Sequence, residues 1–196
     1  MKGKEIKLEI PFPTHQVLLH SCCAPCSSAI VEFLLNQEIT PTLYYCNPNI
    51  FPREEYEHRR EECFRFARLW NIPMVEEEYN HEEWLYDVAG LEQEPERGKR
   101  CLQCFKMRLL HSFRYASLHN FRVVTTTLSS SRWKDFAQIQ EAGHFAQQHY
   151  PNVLFWEYNW KKGGLSERRN FLLKRYAFYN QFYCGCEFSF REKKGV

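Results

Sequence analysis

A three-layer α/β fold, built on a parallel sheet of about five strands, is what this sequence predicts. The first observation is that short apolar or β-branched runs alternate along the chain with segments of helical periodicity. The second is size, because 196 residues suit one domain, residues 1–196, with a substantial core. The third is that the chain contains no internal repeat and no low-complexity segment.

Taken in order, residues 1–14 form a polar lead-in ending at Pro11 and Pro13. Val17-Leu18-Leu19 centres a buried strand over 16–20, and Ser28-Ala29-Ile30-Val31 opens a helix over about 27–37. Pro41 to Cys46 reads as a second strand, stopped by the turn formers of Asn47 to Pro52. Arg53 to Trp70 is a charged helix with Tyr56, Cys63, Ala67 and Trp70 on one face. Ile72 to Val75 is a short third strand with an acidic end at Glu76-Glu77-Glu78. Residues 80–100, with Gly90, Pro95 and Gly98, read as irregular. Cys101 to Leu118 is a helix, Phe121 to Leu128 a strand, and Ser129-Ser130-Ser131 a loop. Lys134 to Gln148 is a helix and Val153 to Tyr158 the fifth strand. Ser166 is placed to cap a last helix reaching about Gln181.

Ligands in such sheets bind beyond the carboxyl ends of the strands. That edge gathers the turns at 20–28, 46–53, 128–133 and 159–165. The first of these holds Cys22, Cys23 and Cys26 at a strand-to-helix turn, where free helical N–H groups and the helix dipole lower a thiol's pKa. Two further pairs follow, Cys101-Leu102-Gln103-Cys104 and Cys184-Gly185-Cys186. Cys63 lies on an apolar helical face and reads as core, and packing is also favoured for Cys46.

No apolar stretch reaches the ~18 residues of a membrane span. The start, Met1-Lys2-Gly3-Lys4-Glu5-Ile6, runs into charge and proline rather than an apolar signal core. A cytoplasmic protein with no membrane partner is therefore expected. Nine cysteines in a reducing compartment favour metal ligation or redox chemistry over disulfides. Seven clustered thiols exceed the four that one zinc or one [4Fe–4S] cluster takes. Adjacent Cys22 and Cys23 are not expected to point at the same metal, so a second metal or redox role is left for the surplus. Spacing alone does not separate iron–sulfur from zinc.

Five blocks in this order carry a resemblance: His20-Ser21-Cys22-Cys23-Ala24-Pro25-Cys26, Asn47-Pro48-Asn49-Ile50, Arg100-Cys101-Leu102-Gln103-Cys104-Phe105 with Arg108-Leu109, Thr125-Thr126-Thr127-Leu128, and Tyr183-Cys184-Gly185-Cys186. Together they resemble the QueH family of epoxyqueuosine reductases over about residues 16–189. The resemblance implies a Rossmann-like fold of the HUP type, a [4Fe–4S] cluster with an additional mononuclear iron beside it, and removal of the epoxide oxygen of epoxyqueuosine in tRNA, the last step of queuosine synthesis. It implies Cys22, Cys23, Cys26, Cys101, Cys104, Cys184 and Cys186 as the metal ligands, without apportioning them. Cys46 stands where relatives more often have an aromatic residue or asparagine, and Ser129-Ser130-Ser131 replaces a run containing Pro and His.

The catalytic candidates are Cys23, Cys26 and His20, with Tyr183 a second possible proton donor. The expected partners are a tRNA anticodon loop carrying epoxyqueuosine and an electron donor of unknown identity. Basic residues flank the cysteines: Arg97, Lys99, Arg100, Lys106 and Arg108; Lys161, Lys162, Arg168 and Arg169; Arg191, Lys193 and Lys194. They suit phosphate contacts, and Trp133, Trp156 and Trp160 offer stacking faces. ATP-dependent chemistry on the same fold would need a glycine-rich loop where Cys22 and Cys23 stand. A zinc-binding or iron–sulfur tRNA-interacting protein without reductase activity is the alternative.

Overall fold

The computed structural model describes residues 10–189. Five strands make one sheet: β1 (Gln16–His20), β2 (Thr40–Tyr45), β3 (Met74–Glu76), β4 (Val123–Thr126) and β5 (Leu154–Phe155). Every pairing is parallel, and the order is β3-β2-β1-β4-β5. The helices are α1 (Ala24–Asn36), α2 (Arg53–Leu69), α3 (His81–Asp87), α4 (Lys99–Leu118), α5 (Phe136–His149) and α6 (Leu165–Arg175). This is the expected α/β architecture, consistent with a Rossmann-like fold.

Strand periodicity explains the layers. Val17 and Leu19 of β1, Leu43 and Tyr45 of β2, and Val123 of β4 pack on one face, against α1, α2 and α6. Leu18, Tyr44 and Val124 face the other way, against α4 and α5. Burial on both faces is why these strands read as continuous apolar runs rather than alternating ones. The strand order reverses direction between β1 and β4, so the crevice at their carboxyl ends is the natural ligand position.

Several boundaries differ from expectation, and the differences fall around the cysteines. α1 starts at Ala24 rather than 27, because Pro25 needs no N–H partner in the first turn and the Cys23 side chain caps it by accepting from Cys26 N–H. α4 starts at Lys99, which places Cys101 and Cys104 in its first two turns. α5 is capped by Asp135, whose carboxylate accepts from Gln138 N–H, so Lys134 lies before the helix. The region read as irregular contains α3, capped by the Asn80 side chain with Glu82 and Glu83 in the first turn. Residues 127–130, expected as strand end and loop, form a 3-10 turn after Thr126 Oγ1 accepts from Leu128 N–H. α6 ends at Arg175, short of 181, where Ala177 turns to a φ of 47°. Its cap position is Gly164, and Ser166 instead donates to the Lys161 carbonyl.

Candidate metal centre

The turn after β1 brings three thiols together. The Sγ atoms of Cys22, Cys23 and Cys26 all lie within 4.8 Å of one another, and all three residues are buried. Cys22 and Cys23 Sγ are 3.8 Å apart. This overturns the expectation that adjacent cysteines point apart. The alternation of a strand ends at His20, and Cys23 already holds the helix cap position, so both thiols swing to one side. Sulfurs bound tetrahedrally to one metal at ~2.3 Å stand about 3.8 Å from each other. The triplet therefore fits a single shared metal.

The three thiols differ electrostatically. Cys22 is drawn well below the ordinary thiol range because the Cys23 and Cys26 side chains donate towards it, with help from the Lys134 charge and the Thr127 hydroxyl. Thr127 Oγ1 lies 3.3 Å from Cys22 Sγ and accepts from Cys22 N–H at 3.0 Å. Burial holds Cys23 well above the ordinary range, and the hydrogen bond with Cys22 pushes Cys26 up to about 12. Three buried thiols held this close are what a soft metal would convert to three thiolate ligands.

Among the described residues the other four cysteines are not brought into this triplet but form a second group, linked to it through Lys134. Cys101, Cys184 and Cys186 line one narrow cavity of about 20 Å³ together with Lys134 and Trp133. Cys104 and Cys186 pack with Trp84, Val88 and Met107, so α3, missed in the sequence, covers this side of the site. Burial raises the thiols of Cys101 and Cys104 and pushes Cys186 up to about 12. All nine cysteines are free thiols. Cys46 and Cys63 are buried among core residues, as the packing reading had it.

Lys134 joins the two groups. It is 6% exposed, and its Nζ donates to Cys184 Sγ at 3.3 Å. Its charge also acts on Cys22 and Cys26, and these neighbours raise its own pKa against the effect of burial. Nothing in the local pattern around Trp133-Lys134 distinguishes this lysine from the exposed ones. Arg59 was missed likewise. Its guanidinium donates to the carbonyls of Cys184, at 3.2 Å, and Tyr183, at 3.3 Å, and pairs with Glu55.

His20 is fully buried at the end of β1. Its Nε2–H donates to the Cys46 carbonyl at 3.1 Å, and Nδ1 meets Thr126 Oγ1 at 2.8 Å. Burial, reinforced by Arg108, lowers its pKa to about 3, so the ring is neutral and both nitrogens are engaged. Tyr183 donates to the Phe51 carbonyl, and burial raises its phenol to about 12.

The basic and aromatic candidates divide. Arg100 and Arg108 are buried: Arg100 binds carbonyls of Leu91, Glu92 and Glu94, and Arg108 binds the Cys46 carbonyl and Asn47. Lys106 pairs with Glu141 and Arg168 with Glu32. Trp156 and Trp160 belong to the core, leaving Trp133 as the partly exposed one of the three. Arg191, Lys193 and Lys194 lie outside the described residues. Among the described residues no helix is long and apolar enough to cross a membrane.

A parallel α/β sheet with buried thiols converging at its carboxyl edge defines a Rossmann-like protein with a site able to hold a metal. Residues 17–192 match the family described as epoxyqueuosine reductase QueH. The protein from Histophilus somni named epoxyqueuosine reductase QueH is 47% identical over 186 residues, covering 95% of this chain and 76% of the relative. The protein of that name from Haemophilus influenzae shows the same identity and coverage, 47% over 186 residues. The one from Acinetobacter baylyi is 43% identical over 192 residues, covering 98% of this chain and 88% of the relative. This chain belongs to the epoxyqueuosine reductase QueH family.

Proposed function

We propose that the chain is an oxidoreductase that deoxygenates epoxyqueuosine to queuosine in cytoplasmic tRNA, acting as one α/β domain. The observation that carries the metal part of this reading is the convergence of three buried thiols within 4.8 Å, with four more cysteines grouped across Lys134 from them. Cys22, Cys23, Cys26, Cys101, Cys104, Cys184 and Cys186 would hold a [4Fe–4S] cluster and a mononuclear iron. The chemistry such a centre supplies when bound is single-electron donation, with Lewis-acid activation at the second iron.

Removing the epoxide oxygen consumes two electrons and two protons and releases water. The residues around the thiols serve this reaction in three ways. Desolvation by β1, α4 and the 3-10 turn keeps bulk water from the site and strengthens each charge within it. The Lys134 ammonium offsets the negative charge of the thiolates and offers a proton beside them. His20, neutral and bonded at both nitrogens, fixes the ends of β1, β2 and β4 relative to one another, which favours a positioning role over proton donation. Of the catalytic candidates, Cys26 borders the larger neighbouring cleft, while Cys23 lies behind it at the helix cap.

Anaerobic purification followed by iron, sulfide and zinc analysis tests the cofactor. Incubation of the reduced protein with tRNA containing epoxyqueuosine, without ATP, tests the reaction. Mass spectrometry of the nucleosides should show loss of one oxygen atom. A zinc-loaded, sulfide-free protein that leaves the nucleoside intact would establish the non-catalytic alternative.

A further inference from the structure

A cleft of about 390 Å³ opens beside Cys26, and Trp133 lines both it and the narrow cavity of Cys101 and Cys186. Its volume is within the ~300–1,000 Å³ range of small-molecule sites. The walls come from the turn after β1, the segment 130–133 after β4, α6, and residues 180–181. It thus occupies the crevice between β1 and β4, where the strand order reverses.

Its lining is cationic and polar. Arg132 and Arg169 both contribute, and no Asp or Glu does so among the described residues. The Arg132 guanidinium stands 5.2 Å over the Trp133 ring. Gln181 is only 6% exposed, yet its Oε1 has no hydrogen-bond partner among the described residues. An unpartnered buried amide costs ~1–3 kcal/mol, which a ligand that bonds it recovers. Arginines, an aromatic face and an unsatisfied amide are the three elements by which proteins hold an unstacked nucleotide: phosphate, base plane and base edge.

We propose that this cleft receives the target nucleotide extruded from the RNA loop. Arg132 and Arg169 bind its flanking phosphates, Trp133 stacks on the base, and Gln181 bonds the base edge. The base's epoxide-bearing substituent then reaches the thiol triplet over Cys26. This inference rests on the reductase reading, which supplies the substrate.

The test uses anaerobically purified, iron-loaded protein and two forms of the same tRNA, one with epoxyqueuosine and one with an unmodified base at that position. Binding is measured across a salt series, and turnover by nucleoside mass spectrometry. Gln181→Leu should weaken binding of both tRNAs ~10-fold, equivalent to about 1.4 kcal/mol, with the salt slope unchanged, and should act through KM rather than kcat. Arg132→Gln and Arg169→Gln should weaken both tRNAs and shrink the salt slope by ~0.7 per lost phosphate contact. Iron content and thermal melting should match the parent protein. Arg132 is exposed, so Arg132→Gln decides the matter even if Gln181→Leu fails to fold. A parent protein that converts epoxyqueuosine while these variants keep its affinity, salt slope and KM overturns the cleft assignment. A parent protein that never converts epoxyqueuosine overturns the reductase reading instead.

Discussion

Lys134 shows how much one side chain can settle at the residue scale. It carries a full charge into a site walled by Cys184 on one side and Cys22 and Cys26 on the other. A buried ammonium is costly unless paired, so its presence implies negative partners. Thiolates bound to a metal are such partners. Lys134→Met keeps most of the length of the side chain and removes the charge. The reduced, more negative form of the bound centre then loses its counter-charge, and the reduction potential should fall by tens of millivolts, the order expected for lost charge and hydrogen bonding at cluster sulfurs. A redox titration followed by electron paramagnetic resonance reads this directly, and Lys134→Arg should restore most of the shift. An unchanged potential in Lys134→Met would remove the lysine from the centre's environment.

At the scale of elements, the C-terminal cysteine pair is held by α2 rather than by any regular structure of its own. Arg59 reaches from α2 to the carbonyls of Tyr183 and Cys184, and Glu55 fixes Arg59 while accepting from Tyr179 Oη at 2.6 Å. Phe51 N–H donates to the Gly185 carbonyl at 2.8 Å. Gly185 itself has a φ of +116°, and a Cβ there would lie 2.9 Å from Arg59 Nη1 and 3.1 Å from Ile50. The glycine in Cys184-Gly185-Cys186 is thus required both by backbone conformation and by the close approach of α2. Gly185→Ala should cost ~1–3 kcal/mol of stability from the strained backbone. It should also lower iron loading, because Cys184 and Cys186 move with the loop. Urea denaturation and metal analysis of the same preparation test both effects. Full iron content with parental stability would show that the loop tolerates the change.

Across the whole molecule, the candidate ligands come from three distant stretches of chain: the turn after β1, the start of α4, and residues 184–186. A metal that binds only the folded arrangement stabilises it by mass action. Anaerobic removal of iron with a chelator should therefore lower the melting temperature, by ~2–4 °C for each kcal/mol in a chain of this size. In a variant carrying Cys22→Ser, Cys101→Ser and Cys184→Ser, the chelator should have no further effect. Equal melting of iron-loaded and iron-free parent protein would show that the three stretches are not tied by metal.

The sequence by itself determined the strand and helix alternation, the cysteine inventory, the placement of Cys22, Cys23 and Cys26 at a strand-to-helix turn, and the family. These are legible because they depend on neighbours within a few residues: periodicity, capping and motif spacing. Even there, the Gly and Pro signals of 80–100 hid α3, although Asn80 and Glu83 were present as its capping residues. Only the tertiary structure decided which charges and rings are buried. Arg100 and Arg108 looked like tRNA contacts but bind backbone carbonyls inside the protein, and Trp156 and Trp160 looked like stacking faces but fill the core. The same holds for Lys134 against Cys184 and for Arg59 beneath Cys184, partners separated by 50 and 125 positions in the chain. A side chain's spacing along the chain does not encode such partners. They are chosen when the sheet order sets which loops share one edge, and burial then makes each unpaired charge too costly to leave alone.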